Sequence, residues 1–303
     1  MDLIIAIGGR VMDFVIKFMS HYWQFYKDSY PLLIFYFSLP VLFFLIEILL
    51  YGWEQSSLKK ILKPNGSELN DIVGFIFVQT RINEILGYGL LLGVALYIPK
   101  GVRSVFGYNL IQNISSPWIQ ALIAFFVIDF LAYWIHRLEH WYRPFWEMHK
   151  YHHASTSFNF LSAHRTHPIS NVSLKRIIQA IPIAIMGTPV VSYLFVLIAK
   201  RVLVLLQHSE LHWDFGWVGR YIILSPAAHR VHHAVDEKYY NKNFGFILII
   251  WDRIFGTWSE PDLSSKPVIG LVDNQLNHPN YFVNIFHSSK IALQHLIGRT
   301  KNN

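Results

Sequence analysis

Long apolar segments, separated by short polar ones, dominate the first half of this chain. The stretches Pro31–Tyr51, Ile72–Ile98 and Pro117–Ile135 each contain at most two acidic or basic residues. About 20 apolar residues in a helix are enough to cross the hydrocarbon core of a bilayer. The pattern therefore predicts three membrane-spanning helices.

A fourth apolar stretch, Ile177–Leu206, is interrupted by Gly187, Thr188 and Pro189. Because glycine and proline favour turns, we interpret this stretch as a helical hairpin that enters and leaves the membrane on the same side. The opening segment, Leu3–Met19, mixes charged with apolar residues and has no small-residue cleavage site. It is predicted to be an interfacial helix rather than a span or a removable signal peptide.

The composition agrees with a membrane protein. Hydrophobic residues make up 53% of the 303 residues and aromatic residues 16%, and the mean hydropathy is positive. We predict an all-α integral membrane helical protein with a cytosolic helical cap, built as a single domain without internal repeats. Its parts are an interfacial N-terminal segment (1–30), membrane spans (31–119), a histidine-rich region (120–260) and a C-terminal tail (261–303).

Ten of the sixteen histidines fall into four tight clusters, two of the form His-x3-His and two of the form His-x2-His-His. Such repetition argues against unrelated surface histidines. Residues three or four apart share one face of a helix, so the four clusters could converge on one site. Crowded imidazoles need an acceptor for their lone pairs, and a divalent metal is such an acceptor. The predicted ligands are His136, His140, His149, His152, His153, His208, His212, His229, His232 and His233.

Ten nitrogens exceed the four ligands of a tetrahedral zinc site, which favours two metal ions. The clusters must also share one side of the membrane, which the predicted hairpin at Gly187–Pro189 allows. Basic residues flank the first two clusters and follow the first span, so we place the histidines on the cytosolic side. The net charge of +7 then belongs to the membrane-facing and partner-facing surface, since the sequence contains no nucleic-acid-binding motif.

Cysteine is absent from the chain. Disulfides, thiolate nucleophiles and iron–sulfur ligation are therefore excluded. The chain also contains no haem attachment sequence, no nucleotide-binding glycine loop and no Gly-x-Ser-x-Gly elbow. Any chemistry is accordingly assigned to the histidine site.

Several motifs around the histidines resemble one family. They are Tyr133–His140 (YWIHRLEH), Trp146–His153 (WEMHKYHH), Arg165–Pro168 (RTHP), Gln207–Ser209 (QHS), Pro226–His233 (PAAHRVHH), Lys242–Gly245 (KNFG) and Trp251–Thr257 (WDRIFGT). Together they resemble the sterol desaturase and fatty acid hydroxylase superfamily over roughly residues 120–260. The resemblance implies a membrane-embedded oxygenase acting on lipids, with the ten histidines as ligands of two iron ions.

The resemblance also implies molecular oxygen (O2) as co-substrate and electrons delivered from elsewhere. Zinc is a substitute metal in this interpretation. The expected donor is a separate b-type cytochrome or ferredoxin, attracted by the basic cytosolic face. Hydroxylation, desaturation and oxidative ether cleavage of a sterol, fatty acyl or related lipid all remain open. The alternative is a metal-binding membrane protein or a metal transporter without oxygenase turnover.

Other polar residues near the clusters have weaker assignments. Asp129 lies two turns before His136 on the same helix face, so it could orient that imidazole, or it could be a helix-packing partner. Asn243 could bridge to a metal-bound water, although a structural turn role is favoured. Glu139 is expected to pair with Arg137 or Arg143. His164 and His167 are left open as additional ligands.

Overall fold

The computed structural model describes residues 34–91, 94–107, 113–175 and 190–298, and the single positions 20, 24, 177 and 181. Over these residues the secondary structure is helical, without a β-strand. Two isolated backbone bridges join Ile223 to Leu248 and Ala234 to Ile269. The prediction of an all-helical fold is confirmed for this part of the chain.

The chain divides into two compact units, Met1–Leu42 and Phe43–Asn303. In the first unit, residues 34–42 are helical, and the Ser38 hydroxyl donates to the Phe35 carbonyl at 2.9 Å. The second unit contains all four histidine clusters. The helices in chain order are α1 (Ile34–Tyr51), α2 (Ser57–Leu62), α3 (Gly66–Gln79), α4 (Ile82–Leu90), α5 (Ile98–Phe106), α6 (Pro117–Trp141), α7 (Arg143–His153), α8 (Pro168–Val172), α9 (Val190–Gln207), α10 (Gly216–Tyr221), α11 (Pro226–His232), α12 (Ile250–Ile254) and α13 (Tyr281–Leu296).

Two of the described helices, α1 and α6, are long and apolar enough to cross a membrane. They coincide with the first and third predicted spans. The predicted middle span, Ile72–Ile98, is wrong as a single helix. The segment is broken after Gln79, where Arg81 adopts a left-handed φ of 54°, and α3 and α4 contain only 14 and 9 residues. Each is shorter than the roughly 20 residues that a span requires.

The predicted hairpin depends on Gly187, Thr188 and Pro189, which lie outside the described residues, as does the opening segment Leu3–Met19. The second arm of that apolar stretch is present as α9, which ends at Gln207, immediately before the third histidine cluster.

Local sequence signals position the helices that carry the histidines. Ser116 caps α6 by accepting from the N–H of Ile119, and Pro117 begins the helix. Ser225 caps α11 in the same way, followed by Pro226. Both combinations are typical helix starts. Only the extended residue Tyr142 separates α6 from α7, so five of the clustered histidines lie on two consecutive helices.

The buried face of α6 supports one side of this region. Ala124, Ile128, Ala132 and Ile135 recur every three or four residues and pack with Leu174 and Val196. On the other side α7 packs against α13, where Tyr151, Tyr281 and Ile285 share a buried cluster.

A buried arginine ties α7 to the rest of the unit. Arg165 donates to the carbonyls of Tyr151 and Leu276 at 2.7 and 2.6 Å, and its guanidinium lies 3.5 Å from the Asp71 carboxylate on α3. Despite this pair, burial raises the pKa of Asp71 to about 6. Arg165 is fully buried, so it does not belong to the exposed basic face predicted from the sequence.

Candidate metal centre

Nine of the ten clustered histidines converge in two adjoining groups. Within each group the nearest ring nitrogens all lie within 4.8 Å of one another. The five-histidine group contains His136, His140, His149, His153 and His232, and the four-histidine group contains His152, His208, His229 and His233. The groups adjoin, since the rings of His153 and His233 stack with centroids 4.2 Å apart.

The helical repeat explains how the two groups arise. His136 and His140 are four apart on α6, as are His149 and His153 on α7, so each pair shares a face. Adjacent residues on a helix point about 100° apart. The His-His pairs at 152–153 and 232–233 consequently contribute one imidazole to each group. The doubled histidine is what allows one short segment to serve two neighbouring positions.

Backbone carbonyls orient three of these imidazoles through their Nδ1 atoms. His136 contacts the carbonyl of Phe244 at 2.9 Å, His232 that of Lys242 at 2.7 Å, and His208 that of Val204 at 2.9 Å. Because a carbonyl oxygen only accepts, each Nδ1 must carry the proton. Each Nε2 then keeps its lone pair directed away from that carbonyl, which is the tautomer that metal binding requires.

A carboxylate orients a fourth imidazole. The Glu139 Oε2 atom lies 3.5 Å from Nδ1 of His149, and the Ser170 hydroxyl donates to its other oxygen. The expectation that Glu139 pairs with Arg137 or Arg143 is wrong. Glu139 is buried and points toward α7, so it meets an imidazole rather than a solvent-exposed guanidinium. Hydrogen bonds from ligand histidines to carboxylates are common around metal ions.

Several ring nitrogens in the two groups are buried and make no hydrogen bond. They are Nε2 of His140, His149, His153 and His232, both ring nitrogens of His233 and Nδ1 of His229. An unsatisfied buried polar atom costs about 1–3 kcal/mol. So many in one place would be strongly destabilising, and a shared metal ion removes that cost.

The spacing within the four-histidine group also suits a metal. Nε2 of His208 lies 3.2 Å from Nε2 of both His152 and His229. Two nitrogens that bind one ion at about 2.1 Å, with an angle near 100° between them, lie about 3.2 Å apart. The donor set therefore fits a metal such as iron or zinc.

The electrostatics favour neutral imidazoles in the part of this site that lies outside α6. Burial lowers the pKa of His208 from 6.5 to about 4. Burial, together with the neighbouring imidazoles, lowers the pKa of five further histidines well below 6.5: His149, His152, His229, His232 and His233. Lone pairs are thus available for a metal at neutral pH without first displacing protons.

His212 belongs to neither group. The prediction that it shares a face with His208 assumed a continuous helix, but α9 ends at Gln207 and residues 208–215 are not helical. Outside a helix, a spacing of four no longer places two side chains together.

His164 and His167 also lie outside both groups. His167 uses both of its ring nitrogens: Nδ1 accepts from the N–H of Ile169 at 3.2 Å, and Nε2 lies 3.1 Å from the Ser289 hydroxyl. It therefore caps α8 and ties it to α13. His164 is buried with Nδ1 3.3 Å from the Leu161 carbonyl, and its ring meets the edge of Phe75.

Asp129 and Asn243 both act on the segment 242–249, which we call the support loop. Asp129 accepts from the backbone N–H groups of Ile247 and Leu248 at 2.9 and 3.2 Å. It does not contact His136, whose Nδ1 faces Phe244 instead. The packing alternative for Asp129 is thus the one that the structure supports, because its carboxylate is occupied by the loop N–H groups and by the Trp251 indole on α12.

The side chain of Asn243 likewise has a structural role. It adopts a left-handed φ of 56°, donates to the carbonyls of Ala228 and Ser259, and accepts from the N–H of Ser259 at 2.7 Å. These bonds occupy its side chain and attach the support loop to α11. The water-bridging role is not supported by this geometry.

Asp252, on α12, also holds the support loop in place. It accepts from the N–H groups of Phe244 and Gly245 at 2.8 and 2.7 Å. A Cβ at Gly245 would come within 2.7 Å of the Asp252 carboxylate and of the Leu248 carbonyl, so the close approach requires glycine. The KNFG motif thus supplies the two backbone carbonyls that orient His136 and His232.

Comparison with known proteins decides the family. A family model described as fatty acid hydroxylase matches residues 121–257, which include all nine converging histidines. Human alkylglycerol monooxygenase is 30% identical over 97% of this chain and 61% of its own length. The chain belongs to the sterol desaturase and fatty acid hydroxylase superfamily. The resemblance seen in the motifs is therefore confirmed.

Two other superfamily relatives have different names. The ornithine lipid hydroxylase of Rhizobium tropici is 28% identical over 50% of this chain and 45% of its own length. A Delta(7)-sterol 5(6)-desaturase of Eremothecium gossypii is 30% identical over 48% of this chain and 38% of its own length. The chain spans about three-fifths of the human relative and less than half of these two. No solved structure matches the chain at a significant level.

A cavity of about 540 Å³ opens on the five-histidine group of this superfamily member. His140, His153 and His232 form part of its wall, beside the basic side chains of Arg143 and Lys150. Trp146 also lines the cavity and packs against the histidines, with its ring centroid 4.8 Å from that of His140 and 5.4 Å from that of His153. The group is consequently reached through an aromatic and basic opening.

Sequence reasoning missed Glu139 as a partner of His149 and the carbonyls of Lys242 and Phe244. The motifs HRLEH and KNFG contained these residues, but a backbone carbonyl leaves no signal in residue type. Only the proximity of the two segments in the fold shows that they act together.

Proposed function

We propose that this superfamily member is a di-iron lipid oxidoreductase, which uses O2 to hydroxylate or desaturate a C–H bond of a sterol, fatty acyl or related membrane lipid. One observation carries the proposal. Nine imidazoles from four separate segments converge as two adjoining groups, and several of their buried ring nitrogens make no hydrogen bond. Two iron ions, one in each group, match this donor set.

Iron bound there would supply redox chemistry that side chains lack, because an unactivated C–H bond has no acidic proton for a general base. The chain's own contribution is orientation. The carbonyls of Phe244 and Lys242 hold His136 and His232 of the five-histidine group in one tautomer, and the Glu139 carboxylate lies 3.5 Å from Nδ1 of a third member, His149. The Phe244 ring, with its centroid 5.0 Å from that of His140, keeps this side of the group apolar.

The location of the histidines supports a lipid rather than a soluble substrate. His136 and His140 lie in the last two turns of α6, a candidate membrane helix. A long apolar chain held in the bilayer would therefore lie beside the site. The names of the relatives, which refer to alkylglycerols, an ornithine lipid and sterols, support the same class.

We further infer that the protein crosses the membrane more than once, with the site on the cytosolic side, and that a separate carrier delivers the electrons. A b-type cytochrome or ferredoxin with an acidic surface suits the exposed Arg143 on the cavity wall.

Lipid analysis tests the function. Cells expressing the wild-type chain should contain an O2-dependent oxidised lipid that cells expressing His152→Ala lack, and His212→Ala should retain it because His212 lies outside both groups. Alkylglycerol, ornithine lipid and sterol are supplied separately as probes. An unchanged lipidome with tightly bound metal would instead favour the metal-binding alternative.

A further inference from the structure

Asp129 marks the depth of the support loop along α6. It is the central residue of this 25-residue helix, so it lies about 18 Å along the axis from either end. Its carboxylate accepts from the N–H groups of Ile247 and Leu248 and from the Trp251 indole at 2.9 Å. Residues 247–251 therefore lie beside the middle of a candidate span, and not beyond its end.

The backbone at this depth is buried, and its N–H groups are paired. Ile247, Leu248 and Ile249 are buried. The N–H of Leu224 donates to the Ile247 carbonyl at 2.7 Å, and the N–H of Ile249 donates to the Ile222 carbonyl at 3.0 Å. Non-helical backbone at membrane depth is tolerated where protein groups satisfy it in this way.

The side chains that project outward from this layer are apolar. They belong to α10, α12 and the residue after α10, and Trp217 and Ile254 are 66% and 60% exposed. We call these residues the interfacial patch: Trp217, Val218, Tyr221, Ile222, Ile250 and Ile254. Monomeric soluble surfaces rarely carry so many neighbouring exposed aromatic and aliphatic residues.

The interfacial patch is continuous with the exposed face of α6. The Trp251 ring centroid lies 5.0 Å from that of Phe130, and the Phe255 centroid lies 4.9 Å from that of Trp134. Phe130 and Trp134 are themselves exposed, in register with Leu122 and Phe126 along α6. Whatever covers this face of α6 also covers the patch.

The charges beside the interfacial patch suit lipid headgroups. The Arg253 guanidinium lies over the rings of Tyr221 and Trp258, 4.6 and 5.1 Å from their centroids, and donates to the Arg220 carbonyl. Arginine with an apolar stem and aromatic neighbours is typical of the membrane–water boundary.

We propose that residues 216–222 and 247–254 are inserted in one leaflet of the bilayer beside α6, between the middle of the helix and the membrane surface, without crossing the membrane. The occupant of the interfacial patch is thus a phospholipid surface. The segment that carries His229, His232 and His233 is then anchored in lipid on both sides, through Ile222 before it and Ile250 after it. The proposal rests on the membrane insertion of α6 assumed in the proposed function.

The absence of cysteine makes site-specific labelling direct. Spin labels are placed at Trp217→Cys, Ile254→Cys, Phe126→Cys on the lipid face of α6, and Val268→Cys, which is 76% exposed and lies outside the interfacial patch. The purified full chain is reconstituted in phosphatidylcholine nanodiscs. Collision rates with O2, which concentrates in lipid, and with a water-soluble nickel chelate are compared. A circular dichroism spectrum and a size-exclusion profile equal to those of the parent show that each variant is folded.

The ratio of O2 to nickel accessibility is expected to be severalfold higher at positions 217, 254 and 126 than at 268. A lipid-like ratio at 126 with a water-like ratio at 217 and 254 overturns the proposal and leaves α6 in the membrane. A water-like ratio at 126 as well overturns both the proposal and the insertion of α6. Iron content and lipid oxidation test the proposed activity separately.

Discussion

At the scale of single residues, the doubled histidines are the most consequential feature. His152 and His153 are adjacent in sequence but belong to different groups, and so are His232 and His233. Substitution of one of these histidines should therefore weaken metal binding in one group more than in the other. If all ten histidines formed one undivided site, no such difference would be expected.

Iron analysis tests this division. Anaerobically purified wild-type protein is expected to contain about two iron atoms per chain, one for each group. His153→Ala and His152→Ala should each reduce this to about one, by weakening the five-histidine and four-histidine groups respectively. His212→Ala is the matched control and should keep both. An equal loss of iron in His212→Ala would contradict the assignment of nine ligands.

Glu139 gives a second residue-scale prediction. Because its carboxylate is the partner of His149 Nδ1, Glu139→Ala should weaken metal binding to the five-histidine group by about 10- to 100-fold. Glu139→Gln keeps an acceptor oxygen and should lose less. Competition with a chelator measures both. The control is Glu147→Gln, since Glu147 pairs with Lys150; comparable losses in the two Gln variants would show that Glu139 acts only through folding.

At the scale of elements, short helices are held in place by side-chain caps. His167 caps α8 only when its Nδ1 is unprotonated, and burial lowers its pKa from 6.5 to about 4. Between these two values the unfolded chain binds more protons than the folded one. The contribution of His167 to stability is therefore present above about pH 6.5 and is lost as the pH falls toward 4.

The change in thermal stability with pH tests this cap. A shift from 6.5 to about 4 corresponds to on the order of 3 kcal/mol. The Tm of His167→Asn, which retains a capping oxygen without titrating, is expected to fall less between pH 6.5 and pH 4 than that of the wild type. His287→Asn, at an exposed position on α13, should follow the wild type. Parallel Tm curves for all three proteins would exclude His167 as the titrating group.

At the scale of the whole molecule, α6 relates the site to the membrane. It is about 36 Å long, so in the proposed topology its first residue and His140 lie on opposite sides of a hydrocarbon core about 30 Å thick. In sealed cells, a cysteine at Ser115 should react with an impermeant reagent from outside. Cysteines at Leu62 and Tyr240, both exposed, should react only after the membrane is permeabilised. External labelling of Tyr240→Cys would reverse the proposed topology.

The proposed electron delivery also concerns the whole molecule. Reconstituted with lipid and O2 alone, the protein is expected to show almost no turnover, and a reduced b-type cytochrome or ferredoxin system should start O2 uptake. Arg143 and Lys150 line the cavity at the five-histidine group, so the rate should fall as salt shortens the screening length from about 10 Å at 0.1 M to about 3 Å at 1 M. Donor-independent turnover would reject a separate carrier.

Much of this molecule follows from sequence alone. The apolar runs at α1 and α6 and the four histidine clusters are local patterns, because hydrophobic length and helical spacing depend only on residues near one another in the chain. The convergence of the four clusters was predicted for this reason, although with ten histidines rather than nine, and so was the superfamily.

Tertiary structure decided the rest. His212 lies outside both histidine groups because α9 ends before it. The apolar stretch Ile72–Ile98 is not one helix because the chain turns at Arg81. Glu139 lies beside His149, and Asp129 accepts a hydrogen bond from a loop residue 118 positions away in the chain. Sequence spacing shows which side chains share a helix face, but it contains no distance between segments far apart in the chain. Those distances are set by packing, which divides one string of histidines into two groups.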